Sequence, residues 1–273
     1  MSLPSFDPAD YPAQLAEKLA RFKHDFAPFE LPEPTVCESA TRAYRLRAEF
    51  RMWHDGARID YAMFDPADPK RAIVIDDFPP AAAPIAAAMP RLRERLMASE
   101  ALKRKLFQVD FLATLSGELM ITLIYHRALD AAWEADAALL AADLGVQLIG
   151  RSRKQKIVLG RDWLLEEFEL NGRRLRYKQI ENSFSQPNGE MNRQMLGWAC
   201  ARAAGIGGDL LELYCGNGNF TVALAPQFGR VLATEVSKPS VAAAEFSLEA
   251  NAIDNVTMVR MSSDEISDAL AGG

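Results

Sequence analysis

Residues 210–221 read Leu-Leu-Glu-Leu-Tyr-Cys-Gly-Asn-Gly-Asn-Phe-Thr, a short apolar run that breaks into a Gly-X-Gly turn. A helical pattern of apolar residues follows from Phe220. A strand, a glycine turn and a helix in this order are typical of the first strand of a doubly wound α/β domain, where glycine lets the backbone approach a ligand. The sequence therefore predicts a Rossmann-like fold with a nucleotide-type ligand beside Gly216 and Gly218.

The residues near this turn narrow the class of ligand. Glu235 ends the next predicted strand, where a carboxylate can accept hydrogen bonds from both ribose hydroxyls, although a solvated acid at a strand end is the alternative. Position 221 is Thr, whereas a dinucleotide fingerprint has a third glycine that permits close packing of helix on strand. This difference favours S-adenosylmethionine over NAD.

The hydrophobic pattern divides the chain into three regions. Residues 1–40 form an N-terminal helix, over residues 11–26, and a proline-bearing connection. Residues 41–181 form an α+β domain on an antiparallel sheet, because residues 44–52 alternate apolar and charged side chains and hairpin turns follow. Residues 182–273 form part of the α/β domain.

Individual elements follow from the same periodicity. Further helices are predicted over residues 83–98, 133–144, 191–204, 220–225 and 239–250. Strands are predicted over residues 44–52, 58–64, 71–75, 107–115, 118–125 and 146–149, then two more short strands, and finally 209–214, 230–235 and 256–260.

The charge of the chain is unevenly distributed. The 273 residues are 49% apolar and 25% charged, which is typical of a globular protein, and the net charge is −6. Residues 151–178 hold nine Lys or Arg against four acids, whereas residues 205–273 hold three against nine. The basic segment is compatible with a local site for a polyanion despite the acidic total.

Composition also excludes several classes of protein. No apolar run reaches the roughly 18 residues of a membrane span, and residues 1–10 lack the basic-then-apolar order of a secretory signal. The cysteines and histidines have no paired or metal-ligand spacing, which indicates reduced thiols and no metal; they are Cys37, Cys200, Cys215, His24, His54 and His126. We therefore expect a cytoplasmic protein that needs no metal.

A candidate RNA surface lies on the middle domain. Arg45, Arg47 and Arg51 alternate along one predicted strand and can reach phosphates from one face, although a solvated strand face is the alternative. Phe107, next to a basic segment, can stack on an unstacked base. For Phe111 the pattern favours packing in the core.

Three segments together resemble one known family. Residues 183–188 read Ser-Phe-Ser-Gln-Pro-Asn, and residues 233–244 read Ala-Thr-Glu-Val-Ser-Lys-Pro-Ser-Val-Ala-Ala-Ala. With the turn at 210–220, they resemble the bacterial tRNA (uracil-5)-methyltransferases, which form ribothymidine in the T-loop and also methylate tmRNA. The resemblance continues through residues 44–56 and 105–110, and so covers essentially the whole chain.

The resemblance implies a fold, a cofactor and partners. The fold is an antiparallel-sheet RNA-binding domain followed by the first half of a Rossmann-like class I methyltransferase domain. The partners are the T-arm of tRNA and tmRNA. The implied cofactor is S-adenosylmethionine, in contact with Gln186, Tyr214, Asn219 and Glu235 around the glycine turn of Gly216 and Gly218.

The family reaction needs residues that these 273 do not include. A cysteine thiolate adds to uracil C6, C5 then attacks the methyl donor, and a base removes the C5 proton. In the family the nucleophile lies in a Ser-Cys-Asn-Pro segment beyond an Asp-Pro-Pro-Arg segment, and neither occurs here. Cys215 is interpreted as a small residue that fills the turn. We therefore assign no catalytic residue, and expect a fragment that is inactive alone and has a bare apolar sheet edge at 210–214.

Two other functions remain open from the sequence. One is a tRNA-binding or tRNA-chaperoning protein without chemistry. The other is an rRNA uracil-5-methyltransferase, although such relatives often carry an iron–sulfur cysteine cluster or an added β-barrel, and neither is visible here.

Overall fold

The computed structural model describes residues 7–65, 68–262, 265, 266 and 268. The outer ends of the predicted regions 1–40 and 182–273 lie outside these residues. Within the described part of the chain, the helices are α1 Tyr11–Asp25, α2 Ala83–Ala98, α3 Glu100–Lys103, α4 Ala131–Leu144, α5 Gly189–Ala203, α6 Asn219–Leu224 and α7 Lys238–Ala250. The strands are β1 Arg47–Asp55, β2 Arg58–Asp65, β3 Asp68–Ile75, β4 Leu106–Ala113, β5 Leu119–Tyr125, β6 Gln147–Ser152, β7 Gln155–Leu159, β8 Trp163–Leu170, β9 Arg173–Ile180, β10 Asp209–Leu213, β11 Arg230–Glu235 and β12 Val256–Arg260.

The middle of the chain forms a seven-stranded sheet in the order β3-β2-β1-β4-β5-β6-β7. Its neighbouring strands are antiparallel, as expected, except that β5 and β6 run parallel. The reason is topological. Helix α4 lies between β5 and β6 in the chain and brings the chain back to the end of the sheet where β5 began, so β6 runs in the same direction as β5.

Helices α2 and α4 cover one face of this sheet. Alternate residues of the strands point into that layer, and Phe50, Tyr61, Val109 and Ile121 are all buried there. The residues between them belong to the opposite face, where Arg47 pairs with Leu112 and Arg51 pairs with Gln108 across β1 and β4. The period of two in the sequence thus separates an apolar core face from a second face, here called the charged face, which carries Arg47 and Arg51 on β1 and a smaller buried cluster at Leu112, Met120 and Ile149.

The hairpin of β8 and β9 packs between the large sheet and the last third of the chain, and Leu164 of β8 shares a buried cluster with strands β4, β5 and β6. Its residues Phe168, Leu175 and Tyr177 share a buried cluster with α5, α6 and α7. After residues 146–149 we expected two short strands, and the described residues contain three, namely β7 and this hairpin. We predicted a domain boundary near Glu181, where the chain leaves this hairpin. That boundary stays a prediction.

The third sheet holds the strand that leads into the glycine turn. It is parallel, with the order β10-β11-β12, and α7 packs on it. Strand β10 lies at an edge in the described part of the chain, where Leu211 is 45% and Leu213 is 39% exposed. These bounds agree with the predicted strands within one residue.

Candidate functional site

The turn after β10 contains three residues with left-handed backbone. They are Tyr214, Gly216 and Gly218, with φ of 57°, 59° and 81°. A side chain at Gly218 would be strained, and its Cβ would lie 3.4 Å from the Cβ of Ala244 on α7, so glycine permits this packing. Tyr214 accepts the same conformation at a cost of roughly 1–3 kcal/mol, and its side chain stays 67% exposed. The turn therefore presents an aromatic ring and bare backbone outward.

Glu235 holds this turn to the end of β11. Its Oε2 accepts a hydrogen bond from the Gly216 amide at 3.1 Å, and its Oε1 accepts one from the Ser237 amide at 2.7 Å. Each carboxylate oxygen keeps lone pairs for another donor. A half-buried carboxylate fixed in this way can accept from paired hydroxyls of a ribose.

Asn219 is fixed from the opposite side by α5. Its side-chain amide exchanges two hydrogen bonds with Asn192, at 3.0 and 2.8 Å, and its carbonyl accepts one from the Tyr177 hydroxyl at 3.1 Å. Gln186 lies half-buried in the loop that leads into α5. The structure thus gathers five of the six predicted cofactor residues in one turn and strand end, and places Gln186 on a separate loop. The sequence did not indicate a role for Asn192. Nothing in the helical pattern of α5 shows that this side chain pairs with Asn219.

The cysteine in the turn is poorly suited to be a nucleophile. Cys215 is buried, and burial, together with the nearby charges of Glu212 and Glu235, raises the pKa of its thiol to about 12. A thiol with this pKa is protonated at neutral pH and does not attack. The interpretation of Cys215 as a packing residue agrees with this environment.

The other two cysteines lie away from the glycine turn. Cys200 is buried on α5, and burial raises the pKa of its thiol. Cys37 is exposed in the connection between α1 and β1. It lines an apolar groove with Trp198 and Phe220 rather than the glycine turn.

An aromatic stack marks the charged face of the large sheet. The Arg51 guanidinium lies 3.8 Å from the centre of the Phe107 ring, and His126 stacks on Phe107 with ring centres 3.9 Å apart. Phe111 is buried in the core, as predicted. His126 was not singled out for this role, because only the pairing of β4 with β5 brings it beside Phe107.

The other two predicted RNA-binding arginines have protein partners. Arg45 donates through Nε to the Arg47 carbonyl oxygen at 2.8 Å. Arg47 donates through Nη1 to the Ser183 carbonyl oxygen and, at 3.3 Å, to the Ser185 hydroxyl. Arg45 also lies just before β1, so the predicted alternation along one strand holds only for Arg47 and Arg51, and the three arginines do not share one environment.

The described residues contain no candidate for two other features, a metal centre and a membrane-spanning helix. In these ranges, no group of three or more His, Cys, Asp or Glu side chains is arranged to hold a metal ion. No helix there combines the length and the apolar character that a membrane crossing requires.

Comparison with known proteins assigns the family. A sequence profile described as tRNA (Uracil-5-)-methyltransferase matches residues 10–273. The chain belongs to the tRNA (uracil-5-)-methyltransferase family. The resemblance inferred from the motifs is thereby confirmed.

Relatives within this family are similar over the entire chain. The tRNA/tmRNA (uracil-C(5))-methyltransferase of Azoarcus sp. strain BH72 is 74% identical over 273 residues, which cover 100% of this chain and 75% of the relative. The enzyme of the same description from Dechloromonas aromatica strain RCB is 65% identical over 272 residues, with 100% and 75% covered. The chain thus spans about three quarters of the length of these relatives.

A solved structure of related fold supports the architecture. The crystal structure of Pyrococcus abyssi tRNA (uracil-54, C5)-methyltransferase in complex with S-adenosyl-L-homocysteine matches with a TM-score of 0.67 and 17% identity. The match covers 91% of this chain and 63% of that one. At this identity the likeness concerns the fold, and it agrees with the predicted combination of α+β and methyltransferase regions.

Proposed function

We propose that this chain supplies the RNA-binding sheet and the adenosyl-binding half of a tRNA/tmRNA uracil-C5 methyltransferase that uses S-adenosylmethionine. The observation that carries the proposal is the Glu235 carboxylate, bonded to the Gly216 and Ser237 amides beside a turn of left-handed residues. The names of relatives that share up to 74% of its residues support the substrate class. We place the protein in the cytoplasm, where its substrate RNA is found and where its three free cysteines stay reduced.

The residues at the turn fit the cofactor chemically. Glu235 would accept from the ribose hydroxyls, the exposed Tyr214 ring would flank the adenosyl group, and Asn219 and Gln186 would bond its polar edges. The space where a Gly216 side chain would begin is open, with no atom within 4 Å, so a ligand can approach that backbone. When bound, S-adenosylmethionine supplies an electrophilic methyl group.

For RNA, we propose that the T-arm docks on the charged face at Arg51 and Phe107, with His126 beneath the ring. A cavity of about 660 Å³ adjoins this stack and is lined in part by Arg127, Arg151 and Arg153, of which Arg153 is exposed and Arg151 is paired with Glu181. Cations next to an aromatic platform suit a loop whose bases are unstacked, since phosphates and base faces are recognised together. The target uridine must leave its stack to reach a methyl donor.

The cofactor assignment is tested by calorimetric titration with S-adenosylhomocysteine. Replacing Glu235→Gln removes the charge that would accept the ribose hydroxyls, and we expect the affinity to fall about tenfold or more, as is usual when a charged acceptor is lost. Glu249→Gln, an exposed carboxylate on α7, is the matched control and should bind as the unchanged chain does. Equal affinity of the Glu235 variant would remove the ribose assignment.

A second function, RNA binding without chemistry, is favoured by the environment of the cysteines. Burial raises the pKa of both Cys200 and Cys215, and Cys37 lies in a different groove. We therefore expect no methyl transfer from labelled S-adenosylmethionine to unmodified tRNA by these 273 residues alone. Turnover above a protein-free blank would show that a thiol here does act as the nucleophile.

A further inference from the structure

The loop that carries Gln186 is held by the beginning of the RNA-binding strand. The Leu46 amide donates to the Pro187 carbonyl oxygen at 2.7 Å, and Arg45 forms an antiparallel bridge with Asn188. Arg47 adds hydrogen bonds to Ser183 and Ser185 at the other end of the same loop. Three successive residues, the two before β1 and the first of β1, thus bind a loop that lies more than a hundred residues later in the chain.

The surroundings of Arg47 suit a protein contact better than a phosphate contact. Arg47 is half-buried, and it lines a narrow crevice together with Glu49, Asp110 and Glu181. A phosphate at this position would lie beside the carboxylates of Glu49 and Asp110 and would be repelled by them, whereas Glu181 is already paired with Arg151 and Lys156. Arg51, four residues further along β1 on the same face, instead covers the Phe107 ring.

The loop in turn determines the position of α5 against the cofactor turn. The Asn188 side chain caps this helix by accepting from the Met191 amide at 3.0 Å, and it donates to the Ser39 hydroxyl at 2.6 Å. One turn later Asn192 forms its reciprocal pair with Asn219. A continuous series of hydrogen bonds therefore joins the strand, the loop, the helix and the turn.

We infer that Arg47 is a positioning residue for the cofactor site: it fixes the loop of residues 183–188, and with it Gln186, to the RNA-binding sheet. The role assigned to Gln186 rests on the proposed function, whereas the clamp on the loop does not. In this role Arg47 binds Ser183 and Ser185 of its own chain and does not bind an RNA phosphate. It makes the sheet that binds RNA also the support of the loop that binds the cofactor.

Two variants on one strand test this in the full chain, Arg47→Gln and the matched control Arg51→Gln. The readouts are amide hydrogen exchange over residues 183–189, affinity for S-adenosylhomocysteine, and affinity for a T-arm RNA at several salt concentrations. For Arg47→Gln we expect exchange in the loop to rise about five- to tenfold, the change expected when a charged donor's hydrogen bonds are lost. Cofactor affinity should fall, and RNA affinity should stay within about twofold. Arg51→Gln should lower RNA affinity and leave loop exchange unchanged.

The outcomes separate this inference from the proposed function. If Arg47→Gln weakens RNA binding and its salt dependence as Arg51→Gln does, with unchanged loop exchange, Arg47 is a phosphate contact and the inference fails. Arg47→Lys provides a second check, because it keeps the charge but not the planar donor pair: it should restore less than half of the loop protection, whereas full protection would argue against a specific guanidinium contact. If the unchanged chain binds no S-adenosylhomocysteine, the proposed cofactor function fails for this chain, while loop exchange still decides the role of Arg47.

Discussion

Glu212 couples the stability of this chain to pH. It lies in β10, where it accepts a hydrogen bond from the Thr221 hydroxyl at 2.7 Å, and burial raises the pKa of its carboxyl to about 7. Because the folded state holds this proton more tightly, the stabilisation is present below the ordinary pKa of about 4.5 and is lost as the pH rises through 7. We expect the free energy of unfolding to fall by on the order of 1–3 kcal/mol across this window.

Urea titrations at pH 5 and pH 8 measure this effect. Glu212→Gln keeps an acceptor for Thr221 without an ionisable group, so the loss between the two pH values should shrink. Glu249→Gln on the surface of α7 should behave as the unchanged chain does. An identical pH dependence in the Glu212 variant would assign the effect to other groups.

The arginines of β1 illustrate what a local pattern can and cannot predict. Alternation correctly places Arg47 and Arg51 on one face, because side chains alternate along a strand. It does not predict that Arg47 meets Ser183 and Ser185, since that contact depends on how a distant loop returns. The contact between Glu235 and the Gly216 amide is easier to predict from the sequence. Both residues lie at the ends of neighbouring strands in one known motif.

Helix α5 contains two glycines with opposite expected responses to alanine. A Cβ at Gly189 would lie 2.6 Å from Leu46 Cδ1 and 2.8 Å from Leu115 Cδ2, whereas the nearest atom at Gly197 is Leu170 Cδ1 at 3.7 Å. Gly189→Ala overpacks the contact between α5 and the large sheet, and should destabilise the chain by about 1–3 kcal/mol. Gly197→Ala should stabilise it by up to about 1 kcal/mol through helix propensity. Chemical denaturation of both variants measures the difference, and equal stabilities would contradict the tight contact at Gly189.

The sequence predicts the bounds of some helices and strands more accurately than it predicts how they pair and pack. The predicted bounds of α2, β11 and β12 agree with the structure, because proline starts or clear apolar runs mark them. The parallel pairing of β5 with β6 was not predicted, since a crossover depends on where α4 packs and not on the strand sequences. Packing of the β8–β9 hairpin on α7 was missed for the same reason.

Strand β10 forms an apolar edge of the third sheet in the part of the chain that the structure describes. Leu211 and Leu213 are exposed there, and an edge strand presents unpaired backbone groups to other chains. We expect the chain to self-associate at micromolar concentrations, as light scattering after size-exclusion chromatography would report. Leu211→Lys should reduce this association, because an edge charge blocks pairing, whereas Leu139→Lys on α4 should not. A monodisperse monomer at high concentration would contradict the expectation.

Leu115 has contacts with two of the buried apolar clusters of the protein. It packs against the cluster under the large sheet and also against the cluster formed by the β8–β9 hairpin with α5, α6 and α7. Its amide is further bonded to both oxygens of Glu166 on the hairpin. Loss of packing in either cluster would therefore remove neighbours of Leu115 in the other, which couples the unfolding of the two regions.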